Sequence, residues 1–159
     1  MTKTQRRRRN EAKTDYKSRF RLLKSSNPRM VVRKSNRYIL VQIVLSEIAQ
    51  DKIFARVSSK ELLEKGWPKE KTGSLKSRAA AYLAGFLLAK RLKGEINECI
   101  LDIGLNRNVS GSRIYAALKG ALDGGLKISC NPEALPSDEM ISSDERIRDL
   151  IKKIKDKIQ

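Results

Sequence analysis

The sequence predicts an α/β domain whose mixed sheet combines an antiparallel three-strand meander with βαβ units, and whose helices pack on that sheet. Two patterns predict this fold. Residues 29–58 contain three segments in which apolar and polar residues alternate, which is typical of paired strands. Beyond residue 75, long apolar segments with helical character alternate with short aliphatic runs, as they do in parallel βαβ units. A basic, disordered N-terminal arm and a C-terminal helix are predicted to flank this domain.

The length of 159 residues suits one domain, and the positive charge is concentrated at its start. Residues 1–37 contain 14 Lys and Arg against two acidic residues, so this segment carries most of the formal net charge of +17. We therefore predict a basic RNA-binding arm at 1–28, an α/β domain at 29–130, and a loop followed by an amphipathic helix at 131–159. The clustering favours a nucleic-acid partner over a generally basic protein.

The N-terminal arm has the composition of a polyanion-binding segment. Its first 13 residues are predicted to be disordered, because like charges repel and little apolar surface is available to bury. Residues 14–24 are compatible with a short helix, with Thr14 as N-cap and with Phe20 and Leu23 facing the domain. The arginine run Arg6–Arg9 alone does not distinguish a phosphate-binding extension that orders on RNA from a non-specific polyanion-binding arm or a nuclear address. The RNA-binding candidates in the arm are Arg6, Arg7, Arg8, Arg9, Lys13, Thr14, Tyr16, Lys17, Arg19 and Arg21.

Alternation predicts the meander strands at residues 29–33, 38–45 and 53–58, joined by turns at 34–37 and 47–51. One face is aliphatic and belongs to the core, whereas the other face combines arginines with aromatic residues, which favours RNA. The first turn is equally consistent with a solvated hairpin loop. The RNA-binding candidates on this face and turn are Arg29, Arg33, Lys34, Ser35, Asn36, Arg37, Tyr38, Gln42, Arg56 and Ser58.

A polar loop and a very apolar helix follow the meander. The loop at residues 59–74 contains Trp67, which we expect to anchor it to the domain. Ser74 is the predicted N-cap of a helix at 75–93 that is apolar nearly all round, so the helix should be buried on most sides. The third strand of the meander, this helix and a strand at 96–103 are predicted to form a right-handed βαβ unit.

The loop at residues 104–113 lies between the carboxyl end of a parallel strand and the start of a helix, where α/β sheets bind phosphate groups. Because neither a GxGxxG nor a Walker pattern is present, the predicted ligand is an RNA backbone and not a nucleotide cofactor. A short strand at 126–129 and an amphipathic helix at 143–157 complete the chain. The RNA-binding candidates here and in the preceding polar loop are Lys71, Thr72, Asn106, Arg107, Ser110, Gly111, Ser112 and Arg113.

Composition argues against several other functions. The chain has no His and two Cys, so we predict no zinc or other metal site, no cofactor and no catalytic residues. Asp102 is expected to cap a loop, because two-metal nucleases need several converging carboxylates. No apolar run is long enough to span a bilayer, and we predict neither a membrane nor a small-molecule substrate as partner. Cys99 and Cys130 fit a reduced cytoplasmic compartment, although a disulfide between them stays open.

Four blocks of the sequence, in this order, match one family: RRRRNEAKTDYKSRFRLL, PRMVVRKSNRYILVQIV, AAAYLAGFLLAKR and ILDIGLNRNVSGSRIYAALKGALDGGLKI. Over roughly residues 5–130 the chain resembles the archaeal form of the large-subunit ribosomal protein family numbered eighteen. The resemblance implies binding to 5S rRNA and its attachment to 23S rRNA in the central protuberance. It also implies neighbouring large-subunit ribosomal proteins as partners, a ribosomal location, and RNA contacts from the arm, the RKSNRY turn and the NRNVSGSR loop.

Two other function classes remain open at this point. A metal-dependent ribonuclease could be built on a similar α/β sheet with Asp102 in its site. A non-ribosomal RNA chaperone could use the same charge without preferring any one RNA.

Overall fold

The computed structural model of the chain describes residues 6–47, 50–142 and 144–158. Its strands are Arg29–Lys34 (β1), Ile39–Glu47 (β2), Gln50–Ser58 (β3), Glu98–Asp102 (β4) and Lys127–Ile128 (β5). They form a sheet in the order β3-β2-β1-β4-β5, in which β1, β2 and β3 pair antiparallel, while β1 with β4 and β4 with β5 pair parallel. The predicted mixed α/β sheet is therefore confirmed.

Helices precede, connect and follow the strands. They are Arg7–Asn10 (α1), Tyr16–Lys24 (α2), Arg78–Arg91 (α3), Arg113–Asp123 (α4), Asp138–Ile141 (α5) and Glu145–Ile158 (α6), and short 3₁₀ helices lie at Ser59–Leu63, Lys69–Ser74 and Pro132–Ala134. None of the helices in the described ranges is long and apolar enough to cross a membrane.

The position of β4 in the sheet refines the predicted βαβ unit. Strands β3 and β4 run in the same direction, as expected, but β2 and β1 lie between them because β4 pairs with β1. The connection through α3 thus crosses two strands, whereas β4, α4 and β5 form a βαβ unit between neighbouring strands.

Helices α3 and α4 cover one face of the sheet and touch each other backbone to backbone. A Cβ atom added to Gly85 of α3 would overlap the carbonyl oxygen of Ala117, and one added to Gly120 of α4 would overlap the carbonyl oxygen of Tyr82. The absence of side chains at these two glycines is what lets the helices approach so closely.

Burial of α3 is as complete as its composition predicts. Every residue from 79 to 89 is buried, so the helix forms the centre of the core. Its N-cap, however, is Ser77 and not Ser74, since the side chain of Ser77 accepts a hydrogen bond from the amide of Ala80 at 3.2 Å. Ser74 belongs to the preceding 3₁₀ helix, which delays the start of α3.

The C-terminal helix α6 docks on α3. Ile151 and Ile154 are buried in the core, and the ammonium group of Lys155 lies 4.7 Å and 5.2 Å from the ring centroids of Tyr82 and Phe86. The predicted amphipathic stripe therefore packs against the domain itself. Ser143, where the helix was expected to begin, lies outside the described residues.

The second face of the sheet is partly covered as well, which differs from the predicted open, RNA-facing surface. Val31 and Val44 on this face are 8% and 5% exposed. Helix α2 lies over it, because Arg19 binds Asp51 and Leu22 shares a cavity with residues of β1 and β4. Only the rest of this face is available to a ligand.

Candidate nucleic-acid interface

The sheet topology brings three connecting segments together. Strands β1, β3 and β4 run in the same direction, so the segments that follow them, at residues 35–38, 59–77 and 103–112, leave the same end of the sheet. Helices α3 and α4 begin there, and Arg113 Nη1 at the start of α4 donates a hydrogen bond to the carbonyl of Lys76, at 3.3 Å. We call this region the loop end of the sheet.

A cavity of about 360 Å³, which we call the arm groove, separates the N-terminal segment from the loop end. It has basic and polar side chains from the arm on one side and from β1 and the β4–α4 loop on the other. Six of the predicted RNA-binding residues line it, namely Arg8, Lys13, Thr14, Arg19, Arg33 and Asn106. The structure thus brings together candidates that are far apart in sequence.

The N-cap of α2 is one residue later than predicted. The carboxylate of Asp15 accepts hydrogen bonds from the amides of Lys17, at 2.9 Å, and Ser18, at 3.2 Å. Thr14 is therefore not the cap, and its hydroxyl instead accepts a hydrogen bond from Arg8 Nε at 2.9 Å. This contact links the two halves of the arm across one wall of the arm groove.

The arm has more local structure than a disordered segment. Residues 7–10 form one exposed helical turn, and the guanidinium of Arg6 lies 4.8 Å from the ring centroid of Tyr16. The predicted contact of Phe20 with the domain is wrong, because Phe20 is 70% exposed and the half-buried Leu22 and Leu23 face inward instead. The ion pair between Arg19 and Asp51 sets this orientation of α2.

Arg29 is buried in an ionic network. Its Nη1 binds the carboxylate of Asp102 at 2.8 Å, and its Nη2 binds Asp51 at 2.8 Å and the hydroxyl of Ser46 at 2.9 Å. With only 2% of its surface exposed, Arg29 has no room to contact RNA, contrary to its assignment as a binding residue. The cause is the pairing of β4 with β1, which places Asp102 beside Arg29.

Asp102 anchors the β4–α4 loop, as predicted. Besides Arg29, its side chain accepts hydrogen bonds from the amide of Gly104, at 2.8 Å, and from Arg33 Nη2, at 3.4 Å. Arg33 keeps 42% of its side chain exposed and remains available in the arm groove. Among the described residues, no group of three or more His, Cys, Asp or Glu is arranged to hold a metal ion.

Asp51 connects this network to α2. It binds Arg19 at 2.9 Å as well as Arg29, so one carboxylate joins the arm to the sheet. Burial by itself raises the pKa of the Asp51 carboxyl, but hydrogen bonds from Ser46 and Arg19 and the charge of Arg29 outweigh burial, and the pKa lies below its usual value.

We expect the contribution of Asp51 to stability to depend on pH. Because folding lowers its pKa, the stabilisation is fully present above the ordinary carboxyl pKa near 4 and is lost as the pH falls through the lowered value. Urea unfolding of the wild type and of Asp51→Asn, between about pH 2.5 and pH 6, measures this. The difference in free energy of unfolding should shrink towards acid. A constant difference would show that the ionised carboxylate is not the group that matters.

In the β1–β2 turn, one predicted RNA-binding residue stabilises the backbone and others are exposed to solvent. The hydroxyl of Ser35 donates a hydrogen bond to the carbonyl of Tyr38 and accepts one from its amide, both at 2.8 Å. Ser35 therefore holds the turn. Lys34, Asn36 and Arg37 are exposed, and their side chains make no hydrogen bond or ion pair with other described residues, which leaves them available to a ligand.

The remaining predicted RNA-binding residues on the sheet differ in their exposure and in their hydrogen bonds. Ser58 caps the 3₁₀ helix that follows β3, in a reciprocal arrangement with Glu61, so its hydroxyl has a structural role. Gln42 is half-buried and Arg56 is exposed. Of this set, Arg56 presents the most accessible charge.

The polar groups of the β4–α4 loop mostly hold the loop itself. Asn106 donates to the carbonyl of Ile103 and Ser110 donates to the carbonyl of Glu133, both at 2.8 Å. Gly111 is buried with a φ of +66°, and Ser112 precedes α4 with a buried hydroxyl that lacks a partner among the described residues. Arg107 is exposed and forms no ion pair with the described carboxylates, so it is the cation that this loop presents.

A second groove lies between the β1–β2 turn and the β3–α3 connection. It has a volume of about 270 Å³, and we call it the turn groove. Four of its lining residues were predicted from the sequence to bind RNA, and two, Gly73 and Lys76, were not. The mostly polar sequence from Lys69 to Lys76 indicated a surface segment, but the sequence did not indicate that this segment lies beside the β1–β2 turn. The six lining residues are Asn36, Arg37, Tyr38, Thr72, Gly73 and Lys76.

The sequence also led to expectations for Trp67 and for the two cysteines. Trp67 is 4% exposed and its Nε1 donates to the carbonyl of Lys71 at 3.2 Å, which confirms its role as a loop anchor. Cys99 and Cys130 are both free thiols, and burial raises the pKa of Cys99 to about 11. Neither residue lines the arm groove or the turn groove.

Comparison with known families matches most of the chain. The family described as ribosomal large subunit proteins 60S L5 and 50S L18 matches residues 2–98 and 93–131. This match includes the arm, both grooves and all five strands, and it ends before α5 and α6.

Several archaeal proteins named large ribosomal subunit protein uL18 are similar to the chain. The protein from Aeropyrum pernix is 47% identical, over 85% of this chain and 62% of the relative. The protein from Korarchaeum cryptofilum is 49% identical, over 85% and 68%. The protein from Methanoregula boonei is 43% identical, over 93% and 87%. The chain thus spans less than two thirds of the Aeropyrum relative but most of the Methanoregula relative.

Proposed function

The chain belongs to the family of ribosomal large subunit proteins 60S L5 and 50S L18, and from this premise we propose that it binds 5S rRNA and attaches it to 23S rRNA in the central protuberance. Membership makes it a structural protein of the large subunit in the cytoplasmic ribosome, and not an enzyme. The alternatives of a ribonuclease and of a non-ribosomal chaperone are set aside on this ground. Neighbouring large-subunit ribosomal proteins are the other partners that we propose.

The observation that carries this proposal is the gathering of unpaired cations at one end of the sheet. Arg37, Lys71, Lys76 and Arg107 are exposed there, come from all three connecting segments, and form no ion pair with the described carboxylates. Cations without protein partners are suited to bind phosphate groups. On α6, the exposed cations are interspersed with Glu145, Asp149 and Asp156.

Charged residues of this region line two grooves of defined shape, the arm groove and the turn groove. The arm groove presents arginines from both the arm and β1, and the turn groove lies at the β1–β2 turn that follows β1. RNA is recognised largely through shape, phosphates and unpaired bases. A surface with two separate grooves that both contain cations therefore supports preference for one folded RNA over others of equal charge.

Binding of the purified protein to 5S rRNA and to a tRNA, measured by fluorescence anisotropy, tests the proposal. We expect at least about tenfold tighter binding to 5S rRNA, and affinity that falls by about three to five decades between roughly 50 and 200 mM salt if six to ten phosphates are contacted, by analogy with duplex DNA. Equal affinity for the two RNAs would contradict it.

A matched pair of charge removals sharpens this experiment. Arg107→Ala removes a cation at the loop end, whereas Lys153→Ala removes one from the exposed side of α6. Only the first should weaken binding to 5S rRNA. If both variants weakened it equally, net charge and not the loop end would determine affinity.

A further inference from the structure

The turn groove joins two segments that are distant in sequence. Asn36, Arg37 and Tyr38 form one wall, and Thr72, Gly73 and Lys76 form the other. The 3₁₀ helix Lys69–Ser74 bends the chain back towards the turn, while Ser35 fixes the turn through its two hydrogen bonds to Tyr38. Both walls are therefore positioned by local backbone structure and do not depend on a ligand.

The charge of the turn groove is exclusively positive. Arg37 and Lys76 are exposed, neither forms an ion pair with another described residue, and no carboxylate lines the groove. The arm groove differs, because Asp15 and Asp102 line it together with its arginines. Among the described residues, no carboxylate on the walls of the turn groove competes with an anion for its two cations.

Tyr38 gives the groove an aromatic wall. The residue is half-buried, packs against the hydrophobic core and lines the groove. An aromatic side chain that packs on the core beside two cations suits a nucleobase with its phosphate, because bases stack on aromatic side chains and phosphates pair with Arg and Lys.

The groove is open and continues into a second basic cavity. A Cβ atom added at Gly73 would meet nothing within 4 Å. Gly73 and Lys76 also line a neighbouring cavity of about 490 Å³ that contains Arg78 and Arg113 and likewise has no carboxylate on its walls. A strand of RNA that leaves the turn groove would therefore meet further cations at the start of α3.

We propose that the turn groove binds one unpaired nucleotide of the RNA. Its base lies against Tyr38, its phosphate lies between Arg37 and Lys76, and the next phosphate lies near Arg78 and Arg113. A volume of about 270 Å³ admits a single nucleotide and not a base-paired duplex. This inference rests on the proposed function, since it names the part of the RNA that one site of the protein recognises.

Gly73 offers a direct test, because a side chain can be added there without a clash. Gly73→Phe should fill the groove and weaken binding to 5S rRNA roughly tenfold or more, the loss expected for one stacked base. Gly73→Ala is the matched control and should bind like the wild type. Thermal unfolding of Gly73→Ala should match the wild type, since its added Cβ atom meets nothing within 4 Å, and thermal unfolding of Gly73→Phe checks that its larger side chain leaves the fold intact. Lys76→Ala provides an independent loss of the phosphate contact.

Chemical probing of 5S rRNA supplies the readout at the level of single nucleotides. One unpaired nucleotide should be protected by the wild type and by Gly73→Ala, and should become reactive again with Gly73→Phe and with Lys76→Ala, while the rest of the footprint is unchanged. If Gly73→Phe bound with the wild-type affinity and footprint, the proposal would be overturned.

A titration with short RNAs separates this inference from the proposed function. A single-stranded pentanucleotide should shift the amide resonances of Gly73 and Lys76 in the wild-type protein, and the corresponding duplex should not. If 5S rRNA is not preferred over tRNA but the single strand still shifts these amides, the groove proposal stands and the proposed function fails. If 5S rRNA is preferred over tRNA but the single strand shifts neither amide, the proposed function stands and the groove proposal fails.

Discussion

Asp102→Ala is expected to lower the free energy of unfolding by about 3–5 kcal/mol, the usual cost of removing one partner of a buried ion pair. The side chains of Asp102 and Arg29 are 7% and 3% exposed, so the remaining guanidinium would keep its charge in a site that water hardly reaches. Asp51 would still bind Arg29, which places the expected loss near the lower end of this range. Urea unfolding followed by circular dichroism measures the change.

Asp138→Ala is the matched control for this variant. Asp138 also pairs with a cation, Lys119, at 2.7 Å, but its side chain is 89% exposed. Removal of such an exposed pair costs roughly 0–1 kcal/mol. A double variant, Arg29→Met with Asp102→Leu, should recover part of the loss, because it leaves no orphaned guanidinium in the sheet. If Asp102→Ala cost no more than Asp138→Ala, the network would contribute little to stability.

Gly85→Ala is expected to destabilise the domain by at least about 1–3 kcal/mol, the typical cost of overpacking a core. The same change inside a helix ordinarily stabilises by about 0.5–1 kcal/mol, because alanine loses less conformational freedom on folding. Steric overlap with the carbonyl oxygen of Ala117 outweighs this gain, since backbone atoms can move away only if the whole of α4 shifts. The midpoint of urea unfolding should therefore fall.

Gly73→Ala provides the comparison at a glycine with open space around it, and its stability should remain near that of the wild type. Gly120→Ala should behave like Gly85→Ala, because its added methyl would overlap the carbonyl oxygen of Tyr82. The effects of the two helix variants should not add, since the first substitution already separates α3 from α4. Wild-type stability of Gly85→Ala would mean that the two helices are not in backbone contact.

The local parts of this fold could be predicted from the sequence. Alternation located the meander, and continuous apolar composition located α3 and its burial, because these patterns are set by residues close together in the chain. Cap positions were less certain: Asp15 and Ser77 cap α2 and α3 where Thr14 and Ser74 were expected. In both cases two residues able to cap a helix lie close together in the sequence, and residue type alone does not choose between them.

The pairing of distant strands could not be predicted, and this limited the prediction of the site. Since β4 was not placed beside β1, Arg29 was taken for a surface residue although Asp102 buries its charge. The turn groove could not be predicted either, because Lys76 and Arg37 are distant in sequence. They line one groove only because the 3₁₀ helix Lys69–Ser74 bends the chain back towards the β1–β2 turn. Charge composition identifies an RNA-binding chain, but only the tertiary structure shows which cations are free.

The parallel pairing of β1 with β4 has a consequence for the nascent chain. Arg29 and Asp102, which join these strands, are 73 residues apart, and synthesis proceeds from the N-terminus. The arm and the meander, which includes Asp51, therefore leave the peptidyl-transferase site well before β4, which supplies Asp102 to Arg29 and to one wall of the arm groove. During this interval the polypeptide is a polycation with an incomplete sheet, and it can attract a nearby polyanion through its charge alone. The arm groove is complete only once β4 is translated, so attraction by charge precedes recognition by the finished surface.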